Sequence, residues 1–151
     1  MSETTMTYKE RMSALRCVVI MPTYNNAGTI ATVISDVKAF TDDVIVVNDG
    51  STDDTKNILS SIEDIKVIDY PNNKGKGYAL KLGLKKAYEW GYRYAITIDS
   101  DGQHYADDIP TFIDKIEEKP DSLLIGAHNL TAENMPSKNT FANRFSNFWY
   151  K

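Results

Sequence analysis

Two aspartates, Asp99 and Asp101, stand two residues apart just after the apolar run Tyr94-Ala95-Ile96-Thr97-Ile98. On an extended segment such a pair leaves the same face, roughly 7 Å apart or less. Their repulsion is then on the order of 2 kcal/mol at an effective dielectric of about 20. A divalent cation would turn that cost into attraction, and carboxylate oxygens are hard ligands that suit Mg²⁺ or Mn²⁺. Gln103 continues the i+2 spacing and offers a carbonyl oxygen as a third ligand. The plainer alternative is a polar turn with solvated carboxylates, so the surrounding loops must decide.

Those loops are rich in polar residues. Asp49 follows four apolar β-branched residues, Val44 to Val47, and opens Asp-Gly-Ser, which is good turn chemistry. It could cap a helix, accept a hydrogen bond from a nucleobase N–H, or do both. Tyr24 could stack on a base or simply cover the end of a sheet. In Asn73-Lys74-Gly75-Lys76-Gly77 the glycines allow close backbone approach and a lysine such as Lys76 could meet a phosphate; a helix-entry loop is the alternative. The P-loop spacing is absent, and no G-x-G-x-x-G follows the first apolar run, which argues against a dinucleotide-dependent oxidoreductase. His104 and His128 read as surface histidines, and Cys17 as core.

These residues need elements to hold them. Five short apolar runs read as strands buried on both faces: Cys17 to Met21 closed by Pro22, Val44 to Val47, Lys66 to Asp69, Tyr94 to Ile98 and Ser122 to Ile125. Between them lie helical patterns. Ile30, Val33, Ile34 and Val37 share one face, as do Ala79, Leu80, Leu84, Ala87 and Tyr88 with Gly91 as a C-terminal cap. Ser51 to Asp54 reads as a capping box before Ile58, Leu59 and Ile62. Ile109, Phe112, Ile113 and Ile116 repeat the helical period, with Pro110 in the first turn. Such β-α alternation predicts an α/β fold: a mostly parallel sheet with helices on both faces and a ligand beyond the carboxyl ends of the strands.

The whole chain sets outer bounds. Its 151 residues, 42% hydrophobic and 25% charged, suit a globular domain. The net charge of -4 and the lack of a basic run disfavour nucleic-acid binding. One cysteine allows no internal disulfide, which fits a reducing compartment. No run approaches a membrane span. Residues 1–13 read as a polar, loosely ordered extension. At the other end Phe141, Phe145, Phe148 and Trp149 form a helical apolar face just before the last residue, as if the chain were part of a longer protein.

Taken together, four segments resemble family 2 glycosyltransferases of the GT-A fold, nearest the polyprenyl-phosphate (dolichol-phosphate mannose synthase-like) branch. They are VVIMPTYNNAGTI at 18–30, VIVVNDGSTDDT at 44–55, NNKGKGYALKLGL at 72–84 and ITIDSDGQHYADDIP at 96–110; IGAHNL at 125–130 and NRFSNFWY at 143–150 match more loosely. The resemblance implies inverting transfer of a sugar from a UDP- or GDP-sugar to an acceptor such as a polyprenyl phosphate. By position, Pro22, Tyr24, Asn26 and Asp49 would line the base and ribose pocket, with Lys76 and Ser100 also on the substrate side. Asp99, Asp101 and Gln103 would hold Mg²⁺ or Mn²⁺ at the diphosphate. Two positions depart from the pattern: Asn48 replaces a frequent Asp, and Ala127-His128 a frequent Ser-Arg.

The family's later acceptor-side segment is missing, so residues 14–151 read as a donor-binding domain with no assignable general base. The expected location is cytoplasmic, with any membrane contact made by parts beyond this chain. Two rivals share the architecture. One is a non-catalytic sugar-nucleotide-binding protein. The other is a Mg²⁺-binding receiver domain, which needs an acidic pair where this chain has Thr23-Tyr24-Asn25.

Overall fold

A computed structural model describes residues 5–101 and 105–119. Two compact units divide the chain, Met1–Ile109 and Pro110–Lys151. The first holds four strands, β1 (Cys17–Thr23), β2 (Val44–Asp49), β3 (Lys66–Tyr70) and β4 (Tyr94–Thr97). All three strand pairings are parallel, in the order β3-β2-β1-β4. The chain steps outward from β1 to β3 and then returns to place β4 on the other side of β1. The strand order therefore reverses beside β1, the point where open α/β sheets bind their ligands.

Register sorts the side chains by face. Val18 and Ile20 of β1 align with Ala95 and Thr97 of β4, and Ile20 with Ile45 of β2. Val18, Ile20, Ile45 and Val47 form one buried cluster with Ala79 and Ala87 of α4 (Lys76–Glu89), and Ile68, Tyr70 and Ala95 pack against it. The alternate residues Val19, Met21, Val44 and Val46 are as deeply buried, so β1 and β2 are buried on both faces, as their near-continuous runs predict; the outer strands β3 and β4 depart from that expectation, with Val67 and Thr97 exposed, because among the described residues each has a neighbouring strand on one side only. Lys56 of α3 (Thr55–Ser60) pairs with Asp69 of β3 at 3.0 Å. α2 (Ile30–Lys38) contacts α3 and buries Ile30, Val33, Ile34 and Val37 along one stripe.

Local details bear out some expectations and revise others. α4 ends in a Schellman motif: Gly91, at φ +87, donates its N–H to Tyr88 O, and Tyr92 donates to Ala87 O. Pro22 does not close β1 but lies inside it. Ile20 O accepts Ile98 N, whereas two residues on Pro22 O takes the Ser100 hydroxyl at 3.1 Å. The β4 ladder has ended by then, so no strand asks Pro22 for an N–H. Gly83 of α4 rides directly on the sheet: a Cβ there would meet Ile20 Cγ2 at 2.7 Å and Val47 Cγ2 at 3.1 Å.

The expected capping box over Ser51 to Asp54 does not form. The helix N-cap is Asp54, with no side-chain cap bond. Asp53 instead accepts Thr55 N and Oγ1 on one oxygen and Ala27 N on the other, so its carboxylate ties the β2–α3 turn to the loop after β1. The polar extension also departs from expectation. Tyr8–Leu15 forms α1, opened by a true capping box between Thr7 and Glu10, and Met12 is fully buried.

α5 (Ile109–Glu118), which from Pro110 onward belongs to the second unit, follows the predicted helical spacing, and Ile113 and Ile116 are buried. Ser122 to Ile125, the expected fifth strand, and the aromatic stripe at 141–149 lie outside the described residues. Among the described residues no helix is long and apolar enough to cross a membrane.

Candidate functional site

All four strands deliver their carboxyl ends to one edge, where a cleft of about 300 Å³ opens. Pro22, Thr23, Tyr24 and Asn26 line it from β1 and the following loop. Asp49 comes from the end of β2, and Asn73, Gly75 and Lys76 from the β3–α4 loop and the start of α4. Asp99, Ser100 and Asp101 come from the segment after β4. Gln103 and the histidines His104 and His128 lie outside the described residues. A larger hollow of about 550 Å³, near Asp42, Asp64 and Tyr92, sits at the opposite ends of β2 and β3, away from these groups.

The two aspartates differ in setting. Asp99 is half-buried and forms an ion pair with Lys76; Asp101 is exposed. Ser100 between them is buried and stitches the segment to β1. Its hydroxyl donates to Pro22 O and accepts from Asn26 Nδ2 at 2.7 Å, while its carbonyl accepts the Thr29 hydroxyl at 2.7 Å. Asn26 also donates to Thr23 Oγ1. The polar groups of Ser100 and Asn26 thus fix the loop that presents the D-x-D pair. Tyr24, by contrast, is 46% exposed.

Asp49 is the most heavily bonded group at the cleft, with only 3% of its surface exposed. Oδ1 accepts Tyr70 OH at 2.6 Å and Lys74 N at 2.8 Å. Oδ2 accepts Asn73 Nδ2 at 2.9 Å and Gly75 N at 3.0 Å. Burial first, and then the bond to Asp49, push the Tyr70 phenol above its usual range. Next to it Gly50, at φ +66, lies so close to the loop that a Cβ would fall 2.3 Å from Asn73 N. On the opposite face Asn48 donates to Asp69 Oδ1 and accepts Ser51 N, so it serves the turn rather than the cleft.

Sequence reasoning missed the clamp between the first two loops. Asn25, at φ +54, accepts Thr52 N and Asp53 N on Oδ1 and takes Ser51 Oγ with its own N–H. An asparagine beside the expected end of the first strand is the one available signal, since asparagine tolerates this backbone region.

Asp99 and Asp101 fit a divalent cation by donor chemistry: both carry hard carboxylate oxygens and both line the cleft. Mg²⁺ and Mn²⁺ sites of this kind use one or two carboxylates and complete their shell with substrate phosphate and water. Among the described residues no group of three or more acidic, histidine or cysteine side chains gathers to hold a metal.

Comparison with known proteins agrees with this geometry. The family model described as Glycosyl transferase family 2 matches residues 18–145. A UDP-N-acetylglucosamine–dolichyl-phosphate N-acetylglucosaminyltransferase of Methanococcus voltae is 34% identical over 126 residues, covering 72% of this chain and 50% of its own. The dolichyl-phosphate beta-glucosyltransferase of Saccharomyces cerevisiae is 28% identical over 116 residues, 66% of this chain and 34% of its own. Among solved structures, glucosyl-3-phosphoglycerate synthase of Mycobacterium tuberculosis, in complex with Mn²⁺, UDP and glucosyl-3-phosphoglycerate, superposes with TM-score 0.57. It is 26% identical, over 77% of this chain and 46% of its own.

The chain spans about half the length of the first curated relatives it matches. The receiver-domain rival falls with the family match. With its parallel α/β sheet, its cleft at the strand reversal and a family match over most of its length, the chain belongs to glycosyl transferase family 2 and has the GT-A fold.

Proposed function

We propose that residues 14–151 are the donor-binding part of an inverting glycosyltransferase that moves a sugar from a UDP- or GDP-sugar to a polyprenyl phosphate. The observation that carries this reading is the convergence of Asp99, Asp101, Lys76 and Tyr24 on one cleft at the strand reversal. Tyr24 would stack on the base. Lys76, the first residue of the 14-residue helix α4, would meet the diphosphate near the positive helix end. Asp99, Asp101 and Gln103 would hold Mg²⁺ or Mn²⁺, which when bound supplies positive charge against the leaving diphosphate.

The acceptor oxygen attacks the anomeric carbon from the face opposite the diphosphate. One C–O bond forms as the bond to the β-phosphate oxygen breaks, inverting the centre. A phosphate acceptor is already ionised, so the reading assigns no general base in this chain. Two relatives whose names specify dolichyl phosphate support a lipid-phosphate acceptor, which would be met at the cytoplasmic face of a membrane.

Calorimetry with UDP and GDP, each with and without Mn²⁺, tests donor binding. Saturable binding of one nucleotide that needs the metal is expected, and heat-silent titrations under all four conditions would refute the reading.

A further inference from the structure

We propose that the outward face of α4 rests on an anionic membrane surface and brings the cleft beside the bilayer. The choice of a lipid surface as partner rests on the lipid-phosphate reading above.

α4 has two unlike sides. Ala79, Gly83 and Ala87, four residues apart, are buried against the sheet. Tyr78, Lys81, Lys85 and Tyr88 follow one another at spacings of three, four and three, so they form one stripe on the other side. All four are exposed, Tyr78 by 42% and Tyr88 by 83%. Charge points the same way. α4 carries four lysines, Lys76, Lys81, Lys85 and Lys86, against one acid, Glu89, which Lys86 pairs at 3.3 Å. The chain as a whole stands at -4. A negative surface is therefore repelled by the molecule overall and attracted by this helix. In a bilayer, tyrosine rings lodge at headgroup depth, and lysine stems carry their ammonium groups to the phosphates. A lysine pair with a ring at each end fits that layer. The apolar side of α4 is occupied by the sheet, so the helix lies on the bilayer without inserting. A polynucleotide would need a longer basic track. The stripe begins two residues after Lys76, which lines the cleft, so docking through α4 brings the cleft to the lipid headgroups. A membrane contact thus lies within this chain rather than only beyond it.

The test is co-sedimentation of the intact chain with vesicles of phosphatidylcholine, either alone or with about one third phosphatidylserine, in the absence of nucleotide and metal. The protein should bind the anionic vesicles and not the neutral ones, and added salt should release it. Lys81→Gln combined with Lys85→Gln should weaken binding about 25-fold, or about fivefold per lysine. Glutamine is nearly as good a helix former as lysine, so the fold is kept. Lys9→Gln combined with Lys56→Gln removes the same charge from α1 and α3 and should change binding by less than about twofold. A polarity-sensitive thiol dye on Tyr88→Cys should shift to the blue on anionic vesicles, and the same dye on Lys56→Cys should not. Cys17 is buried and takes up none of it.

Equal binding to both kinds of vesicle, equal loss in the two double variants, or a silent dye on Tyr88→Cys would each overturn the proposal. So would a dimer in sedimentation velocity that Lys81→Gln combined with Lys85→Gln dissociates, because the face would then serve a second copy of the chain. A protein that ignores anionic vesicles yet binds UDP or GDP with Mn²⁺ overturns the docking alone. A protein that binds the vesicles through α4 but takes neither nucleotide keeps the docking and sinks the donor-binding reading.

Discussion

Single side chains at the cleft divide into those that hold the protein and those left to hold something else. Ser100, Asn26 and Asp49 spend their hydrogen bonds internally, whereas Asp101 and Tyr24 present exposed surface. On the proposed function, Asp101→Asn removes one of the two carboxylates assigned to the metal. It should abolish the Mn²⁺ dependence of nucleotide binding and leave the circular dichroism spectrum unchanged, and calorimetry reads the difference. Cys17 illustrates the opposite case. Burial, then the nearby Asp43 charge, raise its thiol to about 12. At pH 8 only about one part in ten thousand is thiolate, the reactive form. Native protein should stay unlabelled by a thiol reagent that labels it rapidly in guanidinium. The carboxylate pair was legible in the sequence because D-x-D is a local pattern. The bonding of Asp49 was not, because its donors come from Tyr70 to Gly75 and reach it only when β3 pairs with β2.

At the scale of elements, helix and sheet meet closely enough to forbid a methyl group. Gly83→Ala would gain about 1 kcal/mol in helix propensity. Its Cβ would also press on the buried Ile20 and Val47 side chains, an overpacking that costs ~1–3 kcal/mol. Packing should win, and the urea midpoint should fall. Gly50→Ala should be worse, since it combines a left-handed φ with backbone overlap at Asn72 and Asn73. The periodicities of β1, β2, α2 and α4 were plain in the sequence because apolar residues mark both sheet faces and one helix face. The start of α3 was misread. Ser51 to Asp54 has cap-forming side chains, but Asp53 and Ser51 are engaged by Ala27 and Asn25 across the sheet edge, partners that no local pattern reveals. α1 was overlooked because its apolar content is small and its burial rests chiefly on Met12.

Across the molecule the alkaline pH response follows from Cys17 and the tyrosines. Tyr70 and Tyr92 are both raised, each chiefly by burial. A folded-state pKa above the unfolded value means stabilisation that is complete below about pH 10 and lost as pH climbs toward the folded value. Denaturant midpoints should therefore be flat through neutral pH, begin to fall above about pH 9 as the Cys17 thiol ionises in the unfolded chain, and fall further above about pH 10; Tyr70→Phe should blunt the later part of that fall. The sequence by itself determined the class of fold, the polar edge of the sheet and the residues that gather there, because strand period and loop composition are written locally along the chain. Only the tertiary structure decided which of those polar groups are used up inside the protein. A side chain's hydrogen-bond capacity is filled by neighbours in space, and the neighbours of Asp49 lie more than twenty residues away in the chain.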